Sequence, residues 1–241
     1  MRKINNTTDS EGRSGGANGA ALIPVLFQEA RKRGLVQGEP GLSEKLSAEL
    51  SNGEIFSLIR DMPYLRASSR QPKVILEEWR GTCSGKHYLL KELFQELGLE
   101  ARIVMCTHQF TEENSRHFPA ALRAHLADGP VPDVHTYIRL HDRLNNSEGW
   151  TQVDATWPSS AADLGMRVNL DYQPGVDMEL ACDPIDHFEV PENIDPQTFK
   201  EELIQSFCGP RMGRRELLIE GLAEWLGQHT SNPDGINIVR T

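Results

Sequence analysis

The stretch GTCSGKHYLLKELFQELGLEARIVM, residues 81–105, contains a change of periodicity that sets the fold. Leu89, Leu90, Leu93, Phe94 and Leu97 recur at the three- and four-residue spacing of one helical face, and Gly98 is placed as a C-terminal stop. The spacing predicts a helix over 83–97. The apolar, β-branched run ARIVMC (101–106) follows and predicts a strand. Cys83 thus heads a helix, with the Gly81-Thr82 bend and Ser84 suited to its N-terminal turn. At that position unsatisfied backbone N–H groups and the helix dipole favour the thiolate, which is the nucleophilic form. Burial in the core is the alternative reading, since cysteine is among the most buried residue types.

A base for such a thiol is found downstream. VHTYIRL (134–140) and WTQVDATW (150–157) flank the polar turn HDRLNNSEG (141–149) and read as an antiparallel hairpin. A hairpin centred on Leu144 and Asn145 pairs residues whose numbers sum to 289, which sets His135 opposite Asp154. Directly opposed residues on one face have Cβ atoms about 4.5–5.5 Å apart, within reach of an imidazole–carboxylate hydrogen bond. Alternation places His135, Tyr137 and Arg139 on one face and Val134, Thr136, Ile138 and Leu140 on the other. A carboxylate-oriented imidazole beside a thiol is the arrangement that nucleophilic cysteine catalysis requires.

The motifs GTCSGKHYLLKELFQELGLEARIVM, VHTYIRL and WTQVDATWP, in that order, resemble the signature of the transglutaminase-like superfamily over residues 71–158. That signature is a Gly-x-Cys heading a helix, an LGLEAR phrase entering a strand, a His at the start of the next strand and an Asp-x-Thr one strand on. The resemblance implies an α+β, papain-like fold in which the catalytic cysteine heads a helix packed on an antiparallel sheet, here with extra N- and C-terminal helices. It implies Cys83 as nucleophile, His135 as general base and Asp154 as orienting acid. The activity implied is that of a cysteine-dependent hydrolase (protease or amidase) or acyltransferase, acting on an amide, peptide or isopeptide bond through a thioester. Substrates are expected to be peptides, proteins or small amides. A bacterial-type member that hydrolyses is favoured, because the extra β-domains of the animal cross-linkers and an EF-hand-like loop are not found in the sequence. No cofactor is expected. The Cys83 backbone N–H is the natural first oxyanion donor, and the Trp79 indole is a candidate second. The chain departs from the family pattern in having Thr136-Tyr137 where Ala-Trp is commoner, and in a longer connection over 107–132. A non-catalytic peptide- or protein-binding module on the same fold is the alternative function.

Outward from this centre, a polar tail is expected over 1–19, a helical region over 20–70, the transglutaminase-like core over 71–158, a strand and helix extension over 159–230, and a second tail over 231–241. The pieces ALIPVLFQEARKRG and LSEKLSAELSNGEIFSLIRDM read as helices, the second broken near Asn52-Gly53; DPQTFKEELIQSF and RRELLIEGLAEWLGQ read as closing helices. IDHFEV, containing His187, reads as a strand that adds to the sheet. The 107–132 connection reads as an irregular insert whose length and Gly/Pro content suit a gate over the cleft.

Over 241 residues, 25 basic against 35 acidic side chains give a formal charge of −10, which argues against a general nucleic-acid or anionic-membrane surface. No signal-peptide pattern opens the chain, and a cytoplasmic location is expected. Cys83, Cys106, Cys182 and Cys208 are too few and scattered for a disulfide scaffold. A zinc site from Cys83, His87, Cys106 and His108 is considered, but its spacings fit no established finger and it would consume the nucleophile. His87 is expected to be a hydrogen-bonded, half-buried histidine lining the cleft. Cys106, ending an apolar strand, is expected to be core, and Cys182 and Cys208 are expected to be packing residues rather than a redox pair. His117, His125, His141 and His229 lie in polar contexts that carry no chemistry, and Trp150 and Trp157 are read as core or groove walls.

Overall fold

A computed structural model describes residues 21–36, 50–141 and 149–229. Both expected tails, the helical piece before Leu50 and the 142–148 hairpin turn lie outside the described residues. Among the described residues the chain is α+β, with seven α-helices and one four-stranded antiparallel sheet. The helices are α1 (Leu22–Lys32), α2 (Asn52–Arg60), α3 (Pro72–Glu78), α4 (Cys83–Glu96), α5 (Ala120–Arg123), α6 (Pro196–Cys208) and α7 (Met212–His229). The strands are β1 (Glu100–Phe110), β2 (Val131–His141), β3 (Thr151–Val153) and β4 (His187–Glu189), in the spatial order β3-β2-β1-β4.

Local chemistry explains the helix ends. Ser51 caps α2 through a reciprocal box: its hydroxyl accepts from the Glu54 N–H, and the Glu54 carboxylate accepts from the Ser51 N–H. Asn52-Gly53, read from the sequence as a break, is therefore the first turn of a helix. Pro72 and Pro196 open α3 and α6 at a position where no N–H is needed, and Asp195 accepts the Thr198 N–H at 2.9 Å. At the end of α4, Gly98 takes φ +81°, which lets the Leu99 N–H close on the Phe94 carbonyl at 3.0 Å. The helix stops there and β1 begins two residues later.

Two strands are longer than the sequence suggests. β1 and β2 stay paired from Glu100↔His141 to Phe110↔Val131, so both ends of the stretch read as irregular belong to the sheet. What remains between them is α5, a 3-10 turn at Ala124–Leu126 and short bends. Phe118, Leu122, Leu126 and Val131 from this region join Trp157 and the α7 residues Leu218, Leu222 and Leu226 in a second apolar core. At Gly221 of α7 an added Cβ would lie 2.7 Å from Leu122, which shows how closely the two pieces approach. The insert is thus a packed layer rather than the irregular segment expected: its apolar side chains are core.

The main core lies on the other side of the molecule. Ala101, Ile103, Met105, Val134, Ile138 and Leu140 project from one face of the sheet and bury against Phe27, Phe56, Leu89 and Phe94, which α1, α2 and α4 supply. On the opposite face Val104, Cys106 and Tyr137 are covered by a strap carrying Leu180 and Cys182. β4 adds to the β1 edge with Cys106↔His187 in register, as the IDHFEV pattern predicts. No helix among the described residues is long and apolar enough to cross a membrane.

α7 is also tied to the sheet by charge. Arg215 Nε donates to Asp133 Oδ1 at 2.6 Å, and both residues are buried. Burial works against the Asp133 carboxylate, but Arg215, His108 and Lys200 together outweigh it and hold the pKa well below the ordinary carboxylate range. Removing one partner of such a pair leaves an uncompensated buried charge, which costs about 3–5 kcal/mol. Arg215→Met is expected to lower the unfolding free energy in urea by that order, and Asp133→Asn with Arg215→Met to recover part of it.

Candidate active site

Cys83 is the first residue of α4, and no side chain caps the helix at Thr82. The thiol therefore sits where backbone N–H groups have no intrahelical acceptor. It is 7% exposed. From β2, His135 donates Nε2–H to Asp154 Oδ2 at 2.8 Å, and its ring is close enough to Cys83 to act on the thiol's ionisation. The structure brings together the three side chains that the sequence singled out.

The register that does so differs from the one expected. β2 and β3 pair as Ile138↔Val153, Arg139↔Gln152 and Leu140↔Thr151, so paired numbers sum to 291 rather than 289. β3 also ends at Val153, one residue before the aspartate. A two-residue displacement keeps every side chain on its face, whereas a one-residue slip would have turned His135 away. Asp154 reaches His135 as a diagonal neighbour instead of an opposed one.

Asp154 is held by its surroundings more than by the strand. Its Oδ2 accepts from His135 and from the Ala181 N–H at 2.8 Å. Its Oδ1 accepts from the Thr156 N–H at 3.0 Å and the Thr156 hydroxyl at 2.6 Å. Thr156 of the Asp-x-Thr phrase is thus the residue that fixes the carboxylate. Burial alone would push Asp154 up, yet the charge and hydrogen bond of His135, with help from His87 and Thr156, keep it well below the usual carboxylate range. Asn169 Nδ2 donates to the Asp154 and Glu179 carbonyls at 2.9 Å, fastening the strap that delivers Ala181.

The resulting electrostatics favour a thiolate–imidazolium pair. Burial opposes a charge on Cys83, but the Lys200 ammonium, and then the hydrogen bond and charge of His135, bring the thiol down to about 5. Burial likewise opposes a charge on His135, and Asp154 and then Cys83 hold its pKa well above the ordinary histidine value. Two groups with their pKa values crossed in this way exchange the proton before any substrate arrives.

Lys200 was not among the residues the sequence singled out. It lies on α6, 5% exposed, with Nζ 3.3 Å from Cys83 Sγ, 2.9 Å from Ser84 Oγ and 3.1 Å from Thr136 Oγ1. The one sequence signal is its position four and eight residues before Ile204 and Cys208, a cation on the apolar stripe of an otherwise amphipathic helix.

Other expectations are modified. His87 is fully buried, not half-buried: the Ala155 N–H donates to its Nε2 at 2.8 Å, so the proton is on Nδ1, which donates to the Cys83 carbonyl at 2.7 Å. Burial brings its pKa down to about 4, and with both nitrogens committed it braces the loop after β3 as a neutral ring. Beside it, Lys86 donates to the Arg60 and Thr156 carbonyls at 2.7 and 3.0 Å, with its pKa pushed down by burial to about 7. Trp79 does not line the cavity in front of the thiol. It ends α3 in the left-handed region, φ 51°, with Arg33 stacked over its ring at 4.8 Å. Its position gives no support to an oxyanion role. Cys106 is buried, but its sulfur faces Cys182 at 3.6 Å, while Cys208 donates to the Pro132 carbonyl. His108 contacts Asp133 at 3.5 Å, and His187 Nδ1 meets the Tyr137 hydroxyl at 3.0 Å.

Two cavities lie near the site, and the smaller one holds the thiol in its wall. One of about 420 Å³ lies in front of Cys83 and is lined by Tyr64, Arg70, Asp133, Gln197, Lys200 and Arg215 among others. A larger one of about 970 Å³ runs along α4 toward β4, and Arg70 and Gln197 line both.

The pH dependence of Cys83 alkylation by iodoacetamide, mapped by mass spectrometry, is expected to show a midpoint near 5 in the wild type. In His135→Ala and in Lys200→Met it should move up toward the free-thiol value of about 8.5. An unchanged midpoint in both variants would contradict the electrostatic account. Comparison of the chain with protein-family models, with curated proteins and with solved structures gave no significant match, so the geometry alone bears on what the chain does.

Proposed function

We propose that this chain is a cysteine-dependent acyl hydrolase of transglutaminase-like fold, acting on amide or peptide bonds through a thioester. The observation that carries the reading is the buried grouping of Cys83 at a helix N-terminus, His135 bonded to Asp154 at 2.8 Å, and the Lys200 ammonium 3.3 Å from the sulfur, a setting that favours the thiolate. The helix-headed cysteine, with its histidine on one strand and its aspartate just past the next, supports the finer fold reading.

In the proposed cycle the Cys83 thiolate attacks the acyl carbon, and the carbonyl oxygen becomes an oxyanion beside the Cys83 backbone N–H. As the C–N bond breaks, the His135 imidazolium gives its proton to the departing amine, leaving a thioester and a neutral imidazole. A water then loses a proton to His135 and attacks the thioester carbon; the C–S bond breaks, the acid departs, and thiolate and imidazolium are restored. Asp154 remains ionised throughout, fixing the His135 tautomer through Nε2. The cavity of about 420 Å³ in front of the sulfur is of a size to take a small acyl group or a short peptide segment.

Turnover of a panel of peptide amides is expected to vanish in Cys83→Ala. In Asp154→Asn, with the tautomer no longer fixed, kcat should fall by about 10²–10⁴-fold with little change in KM. Retained turnover in Cys83→Ala would refute the proposal.

A further inference from the structure

We infer that Lys200 supplies the second oxyanion-stabilising donor of this site, handing one N–H from the Cys83 sulfur to the carbonyl oxygen as the tetrahedral intermediate forms. The inference rests on the acyl-transfer reading above and assigns a catalytic task to a residue outside the triad.

An ammonium has three N–H donors and no acceptor. In this site Lys200 Nζ has three acceptors within reach: Ser84 Oγ, Thr136 Oγ1 and Cys83 Sγ. Two are neutral hydroxyls, one on the helix beside the nucleophile and one on β2 beside His135, and they aim the ammonium. The third is the only one of the three whose charge changes during the reaction. When sulfur bonds to the acyl carbon its negative charge passes to the carbonyl oxygen, which is attached to that same carbon. The N–H released by the sulfur then lies beside the new anion, in a buried setting where a fixed donor is worth most.

Of the other polar groups lining the cavity, three have partners of their own. Arg215 is paired with Asp133 and Arg66 with Glu216. The Gln197 amide donates to Glu201 at 2.6 Å. Among the described residues Lys200 has no carboxylate within ion-pair distance; Asp133 feels its charge but is paired with Arg215, and the sulfur is the anion that Nζ contacts directly.

A cation that only stabilised the resting thiolate would lower the thiol pKa and its intrinsic nucleophilicity together. An oxyanion donor acts differently: it accelerates acylation and leaves displacement at saturated carbon alone. The test compares two reactions of Cys83 at a pH where the thiol is ionised in every protein. Acylation by p-nitrophenyl acetate, read as p-nitrophenolate release and as an acetyl group on Cys83, passes through an oxyanion. Alkylation by iodoacetamide does not.

In Lys200→Met, acylation is expected to slow by about 10²–10³-fold, the usual cost of losing one oxyanion donor, while alkylation holds or quickens, because an ionised thiol of higher pKa is the stronger nucleophile. Lys200→Arg, which keeps the charge, should restore a large part of the acylation rate. Equal slowing of both reactions, or slowing of neither, would overturn the inference and leave the hydrolase reading in place. A wild type that alkylates readily at Cys83 but shows no acylation above Cys83→Ala would overturn the hydrolase reading and this inference with it.

Discussion

One buried carboxylate organises the centre of this molecule. Asp154 is 2% exposed and ionised, a condition that costs several kcal/mol unless every lone pair is met. The chain meets it with donors from three segments: His135 on β2, Thr156 just after β3, and the Ala181 backbone on the strap. Each segment is thereby fixed relative to the others. The strap would otherwise be a long connection with little regular structure. Because it supplies Ala181, and because Asn169 and Met178 bond back to residues 152–154, it becomes a wall of the site.

The same principle shapes the start of α4. Its second half is an ordinary amphipathic helix, with Leu89, Leu90, Leu93 and Phe94 in the core. Its first turn and a half instead buries Cys83, Ser84, Lys86 and His87, all polar or ionisable. Each is satisfied by a specific partner. Lys86 bonds the carbonyl that ends α2, where a cation meets the negative end of a helix dipole, and His87 bonds the loop after β3. A helix of one chemical character at each end can pack on an apolar sheet face and still hold a reactive group at its tip.

Much of this was legible from the residues. The α4–β1 junction announced itself through the switch from a 3.6 to a 2.0 period at Gly98, and the two closing helices through their apolar spacing. The convergence of Cys83, His135 and Asp154 followed from motif order and strand parity, and it survived a register error because the error was an even number of residues. Three things lay beyond local pattern. The 107–132 stretch looked irregular because its strand ends carry Gln109, Pro132 and Asp133, and backbone pairing does not depend on side-chain hydrophobicity. The facing of Cys106 and Cys182 depends on the path of the strap. Lys200 lies on a helix whose docking site is set by tertiary packing, and its place on the stripe of Ile204 and Cys208 says that it points inward but not toward what.

The distance of Lys200 along the chain has a consequence for biosynthesis. It lies 117 residues after the sulfur it contacts. The helix that carries the cysteine and the strands that carry its histidine and aspartate are synthesised well before α6. Long-range contacts form late, after the local structure they join. Until α6 docks, the nascent chain lacks the cation that most strongly favours the thiolate. The shift of Cys83 toward the thiolate thus waits for α6, the same helix that supplies part of the wall of the cavity in front of the sulfur.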